Sequence, residues 1–255
     1  MSSNKMSRKD FLSLSAVAGV STLVGSSALM TSCGEKAPEY TPLKQLEGAY
    51  IPVLNDKADD GKELKAGVIG CGGRGSGAIV DLLNAANGIK VVALGDTFAD
   101  RLQNLKKNLA EKHNQVVADD KCFVGFDAYK QVIDSGVDMV VIATPPVFRP
   151  VHFQYATEKG VHSFLEKPIA VDPKGYRMIM ATAKQAQAKG LSVVTGTQRH
   201  HQRPYVEAFQ KIQQGLIGEI TGGNVYWNQG MLWYKERQSG WSDMEWMIRD
   251  WVNWK

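Results

Sequence analysis

The stretch GVIGCGGRG, residues 67–75, decides how the rest of this chain is read. It sets Gly70, Gly72 and Gly75 in a G-x-G-x-x-G spacing, with Gly73 and Arg74 inside it. Just upstream is the short apolar run KAGVIG, and just downstream SGAIVDLLNAAN carries apolar residues at helical spacing. A strand that enters a glycine turn and leaves as a helix presents free backbone N–H groups at the helix N-terminus, where the peptide dipoles favour an anion. Glycine turns are common, so the spacing alone is a weak signal.

The next strand-like run, KVVALGD, strengthens it. It ends in Asp96, about 20 residues past the last glycine, where a carboxylate accepts hydrogen bonds from a ribose 2′-hydroxyl. The ordered set of Gly70, Gly72, Gly73, Arg74, Gly75 and Asp96 predicts a dinucleotide loop with the pyrophosphate on the helix N-terminus. Asp96 would repel a 2′-phosphate, which favours NAD over NADP. Arg74 and Arg101 offset that repulsion in part, so NADP stays open. Cys71 reads as a filler at the variable position.

Working outward, strand-like and helix-like segments alternate as far as Gln198. DRLQNLKKNLAEKH has helically spaced leucines, KCFVG reads as a short third strand, and DAYKQVIDS as a helix. VDMVVIATPP is a continuous apolar run, as in a strand buried on both faces. PVHFQYATEKG and VHSFLEKP repeat the helix-then-strand order, and LSVVTGTQ supplies a sixth strand. Between those last two strands, DPKGYRMIMATAKQAQAKG has Asp172 as N-cap, Pro173 in the first turn and Gly190 after the end. Strands joined by helical crossovers predict an α/β fold, a doubly wound parallel sheet of the Rossmann type, over residues 64–200.

Past this point the character changes. RPYVEAFQKIQQG reads as a helix, GEITGGNVYWNQG as the start of a strand, and all six tryptophans lie between Trp227 and Trp254. Residues 201–255 are expected to begin a second domain. Trp233, Tyr234, Trp241, Trp246, Trp251 and Trp254 are expected to fill a core or interface rather than stack on sugar rings.

The composition, 44% hydrophobic and 22% charged, is that of an ordinary globular protein. A formal net charge of +4 is spread without a basic block, so no nucleic-acid partner is expected. Cys33, Cys71 and Cys122 form no CxxC and no HExxH is present, so neither a disulfide framework nor a metal site is expected. Residues 1–33 run from a basic start through a diluted apolar segment to small residues, the layout of an export signal. SRKDFL resembles a twin-arginine signal with Lys9 in place of the second arginine, and LMTSC resembles a lipoprotein signal. Export to the periplasm is therefore expected, with Cys33 lipidated as a membrane anchor; an uncleaved span of the bilayer is the alternative. Residues 34–63, polar and carrying Pro38, Pro42 and Pro52, read as a linker.

In an open parallel sheet, ligands gather at the carboxyl ends of the strands. The segments there are ATPP (143–146), EKP (166–168) and GTQRH (196–200). With the glycine loop, they resemble the Gfo/Idh/MocA family of nicotinamide-dependent oxidoreductases, over about residues 64–255. The resemblance implies that Glu166 lies near the nicotinamide ribose, that Lys167 faces the substrate, and that Thr144 and Pro145 line the nicotinamide side. It implies that Gln198 and Arg199 close the cofactor site. The family often has a histidine five residues after the threonine; here Arg149 stands in that place, among the contacts near the nicotinamide.

The implied activity is oxidation or reduction of a hydroxyl or keto group on a sugar, polyol or related carbohydrate-like molecule. Lys167 would exchange the proton, its own proton loosened by burial beside a positive nicotinamide. Some relatives are glycosidases that oxidise a ring hydroxyl transiently and recycle the same NAD, which is a second reading. A non-catalytic or inactive fragment is a third. The aspartate and histidine that usually assist the lysine have no match before Lys255. The resemblance implies that residues 201–255 begin an α+β substrate and dimerisation domain, which is thus expected to be incomplete, with weak cofactor binding, and the full-length protein to be a homo-oligomer.

Overall fold

The computed structural model describes residues 62–253. The expected export signal, Cys33, nearly all of the expected linker and Trp254 lie outside them. Six strands form one parallel sheet: β1 (Leu64–Ile69), β2 (Ile89–Asp96), β3 (Cys122–Val124), β4 (Met139–Ile142), β5 (His162–Leu165) and β6 (Val193–Thr195). Their order is β3-β2-β1-β4-β5-β6, the doubly wound Rossmann arrangement, with the direction of winding reversing between β1 and β4. The connecting helices are α1 (Gly73–Ala85), α2 (Ala99–His113), α3 (Ala128–Asp134), α4 (Arg149–Glu158) and α5 (Pro173–Ala188).

Two apolar clusters clad the two faces of the sheet. Ala78 and Ile79 of α1, with Leu102, Leu105 and Leu109 of α2, pack on Ala66, Val68, Val91 and Leu94. On the opposite face Val132, Phe153, Ala156 and Ile179 pack on Ile69, Val140, Ile142 and Leu165. The period-2 alternation of Val140, Val141 and Ile142 between these clusters explains why this strand is apolar at every position. Val132 seats on two neighbouring strands that carry glycine there. A Cβ at Gly67 would lie 2.6 Å from its Cγ1, and one at Gly95 2.8 Å from its Cγ2.

Helix ends follow their local chemistry. The Asp172 carboxylate accepts the Gly175 N–H at 2.5 Å, Pro173 opens α5, and Gly190 follows it with φ +69°. A further helix, α6 (Arg203–Gln213), lies at the expected place. The strand expected in GEITGGNVYWNQG does not form. Residues 219–238 adopt no regular element, and Val225 is 98% exposed. A strand needs a ladder partner, and none pairs with this segment among the described residues.

A short helix, α7 (Asp243–Arg249), was not expected. Its signal is SDME at 242–245, a capping box in which Ser242 Oγ accepts the Glu245 N–H at 3.1 Å. Glu245 in turn accepts from Arg249 Nε at 2.8 Å. The Arg249 guanidinium forms a two-pronged pair with Asp100 at 2.8 and 3.0 Å, and lies 3.9 Å from the centre of the Phe98 ring. Trp241 flanks the same guanidinium at 4.8 Å, while Asp250 accepts the Lys235 N–H at 2.8 Å. These contacts fasten residues 233–253 to the start of α2.

Replacing Arg249 by Met leaves Asp100, which is half exposed, free to rehydrate but removes the fork and the ring contact. We expect R249M to lose about 1–3 kcal/mol of local stability. Hydrogen exchange should then quicken in residues 235–253 while β1, β2 and β4 stay protected; unchanged exchange in 235–253 would refute the role given to Arg249.

Candidate cofactor site

The carboxyl ends of β1, β2, β4, β5 and β6 open onto one cleft of about 1350 Å³. Among the glycines, structure separates two jobs. Gly70 has φ +93°, and a Cβ there would stand 2.8 Å from the backbone of Ala143 and Thr144. Gly75 is tighter still, its would-be Cβ 1.8 Å from the Gly70 carbonyl oxygen. Those two glycines let α1 start directly on the strand ends. Gly72 and Gly73 face no such crowding: the closest atom to a Cβ at Gly72 is 3.8 Å away, and nothing lies within 4 Å at Gly73. Both line the cleft beside the uncapped N-terminus of α1, a surface bare of side chains that suits a pyrophosphate.

Asp96 closes the loop from β2. Its carboxylate accepts the Cys71 N–H at 2.7 Å and the Phe98 N–H at 2.8 Å. Burial pushes its pKa up, against the pull of these two N–H groups. Four lone-pair positions leave it able to accept further bonds from a ribose. Arg101 lines the same end of the cleft, and Cys71 is buried with its thiol pKa raised by burial, consistent with a filler.

The other end of the cleft holds Thr144, Pro145, Arg149, Glu166, Lys167 and Gln198. Glu166 is buried, with Oε1 accepting from Arg74 Nε at 2.7 Å. Gly196 makes room for it, since a Cβ there would come 2.8 Å from Oε1. Lys167 follows directly, but its side chain is exposed at the rim, so the described residues do not supply the burial expected for it. Any desolvation must come from what enters the cleft. Arg199 stands apart from the others: its guanidinium lies 4.9 Å from the Trp227 ring and donates to the Tyr205 hydroxyl at 3.1 Å, and it does not line the cleft.

Arg149 occupies the first turn of α4, 3% exposed, with Nη1 donating to the Pro168 carbonyl. Burial lowers its pKa to about 10, and nearby Glu166 opposes that fall. One turn further along α4 is His152, which the motif reading passed over. Its Nδ1 shares a hydrogen bond of 3.2 Å with Thr144 Oγ1, and its ring stacks 4.2 Å from Tyr129. The i, i+3 spacing from Arg149 was the available signal. Of the tryptophans, Trp233 and Trp251 meet edge to face and line the cleft, whereas Trp246 donates to the Lys235 carbonyl.

Comparison with known proteins fits this geometry. Residues 64–195 match the family model GFO_IDH_MocA, described as an oxidoreductase family with an NAD-binding Rossmann fold. A glycosyl hydrolase family 109 protein of Solibacter usitatus is 26% identical over 97% of this chain and 52% of its own length. The NAD(+)-dependent scyllo-inositol 2-dehydrogenase of Bacillus subtilis is 25% identical over 62% of this chain and 42% of its own. The scyllo-inositol dehydrogenase of Lactobacillus casei, solved with NAD(H) and scyllo-inositol, superposes with a TM-score of 0.52 at 25% identity. That match covers 63% of this chain and 44% of the other. The chain thus spans about half the length of the curated relatives it matches.

His152 gives the site a pH signature. Burial, aided by Arg149, lowers its pKa from 6.5 to about 4. Between those values the unfolded chain binds a proton that the folded chain does not, so stability falls as pH drops through that window. Going from pH 7 to pH 5 should cost roughly 2 kcal/mol from this group alone. In urea titrations, H152F should lose less stability over that interval than the wild type by about that amount. Equal losses would contradict it.

Proposed function

The chain belongs to the Gfo/Idh/MocA oxidoreductase family, and from that premise we propose that it binds NAD and acts on a hydroxyl or keto group of a sugar, polyol or derivative. One observation carries the reading: the bare glycine turn, Asp96 and the Glu166–Lys167 pair converge on one cleft at the strand ends. Gly72 and Gly73, with the N-terminus of α1, would take the pyrophosphate, and Asp96 the adenosine ribose. Thr144, Pro145 and Glu166 would take the nicotinamide ribose and ring. When bound, the nicotinamide supplies a hydride acceptor or donor. Lys167, at the rim of that end, takes the proton from the substrate hydroxyl on oxidation and returns it on reduction. Asp96 supports NAD over NADP because a 2′-phosphate would meet its carboxylate.

A second reading has its own support. The family 109 relative aligns along nearly the whole chain, which favours a glycosidase that oxidises transiently and recycles its NAD. A start resembling a twin-arginine signal agrees with it, because a folded chain can be exported with its cofactor in place.

Calorimetric titration should show NAD⁺ binding more tightly than NADP⁺, with D96A narrowing the difference; equal affinities in the wild type would sink the ribose assignment. In the whole protein, K167A should lower turnover by about 10²–10⁴-fold while NAD⁺ affinity holds. A nitrophenyl glycoside panel separates the two readings: aglycone release without net NADH marks the glycosidase, and NADH formed in step with sugar marks the dehydrogenase.

A further inference from the structure

Glu166 is bonded to one arginine and lies within the electrostatic reach of a second, and the two differ in freedom. The carboxylate is 3% exposed, with Oε1 bonded to Arg74 Nε at 2.7 Å and Oε2 accepting the Lys167 N–H at 3.2 Å. Arg74 belongs to the glycine loop, and its side chain is 57% exposed; a second carboxylate, Asp81, lies 3.8 Å from it. Arg149 is the opposite case, 3% exposed and tied to the Pro168 carbonyl two residues beyond Glu166. The Arg74–Glu166 pair thus crosses the cleft from the bare glycine turn to the β5 end.

We propose that Arg74 is an exchangeable latch, which holds the glycine loop to Glu166 and transfers to the pyrophosphate oxygens of an entering nucleotide while Arg149 stays behind to balance the carboxylate. The proposal rests on reading the cleft as a nucleotide site. Removing the charged partner of a buried carboxylate is strongly unfavourable, and the nearby Arg149 charge limits that cost when Arg74 departs, with the Lys167 N–H still in place. A guanidinium fork suits phosphate as well as carboxylate, so Arg74 exchanges one anion for another. Its exposure leaves it free to move, which Arg149 is not. The transfer also frees Glu166 Oε1 at the moment a nucleotide arrives, coupling the phosphate end of the cleft to the end that carries Lys167.

The test is a mutant cycle read by calorimetry on the full chain, with NAD⁺, ADP and adenosine as probes. R74M should weaken ADP about tenfold, near 1.4 kcal/mol, and leave adenosine unchanged. E166Q, which dissolves the latch, should tighten ADP about threefold. In the R74M/E166Q double variant that gain should vanish. A gain that persists in the double variant is simple charge repulsion and overturns the latch, as does an R74M protein that binds ADP like the wild type. If E166Q fails to fold, E166D, whose shorter side chain loosens the pair with Arg74, takes its place in the cycle, and adenosine binding reports an intact site. Wild-type protein that binds neither NAD⁺ nor ADP overturns the nucleotide reading and the latch together; NAD⁺ binding with an unresponsive cycle overturns only the latch.

Discussion

The contact between Gly75 and the Gly70 carbonyl is the constraint on which the site depends. A methyl group at Gly75 would sit 1.8 Å from that oxygen, inside any permitted separation. Because both residues lack side chains, α1 begins where β1 ends, and its free N–H groups open onto the cleft rather than onto a spacer loop. The same closeness brings the loop within reach of Asp96, whose carboxylate bonds to Cys71 N–H from the neighbouring strand. The backbone of a loop held at both ends is already placed to meet an anion, which lowers the entropic cost of binding.

Electrostatics divides the cleft into two ends. At the β2 end, a buried carboxylate is stabilised by backbone N–H groups. At the β5 end, the ion-pair partner of Glu166 is a side chain, the exposed Arg74. Backbone partners cannot leave without unfolding the loop, whereas a side-chain partner can. The first arrangement suits a permanent structural fastening that also faces ligand, and the second suits a contact remade during binding. His152 adds a neutral group at this end, kept uncharged by burial and by the adjacent Arg149.

The sheet was legible because local and long-range signals agreed. Apolar runs of strand length, the Asp172 cap and glycines after helices each set an element without reference to the fold. The glycine spacing pointed to this turn, but sequence could not tell the crowded Gly70 and Gly75 from the open Gly72 and Gly73, since that depends on where β4 ends. Lys167 was expected to be buried because motif position says nothing about the walls around it. Arg149 and His152 show the opposite limit: one appeared as a substitution in a pattern, and the other carried no pattern at all. The GEITGGNVYWNQG segment has strand composition, but strand formation requires a partner that composition does not provide.

The fastening of Arg249 to Asp100 joins positions 149 residues apart in sequence. During synthesis, Thr195, the end of the last strand, is joined to the chain 54 residues before Arg249. At typical elongation rates, roughly 3–10 s separate those two events. Asp100 and the Phe98 ring therefore wait at the mouth of an assembled sheet for a partner that arrives late. A cleft wall supplied by the last segment translated gives this fold a built-in order of assembly, sheet first and rim second.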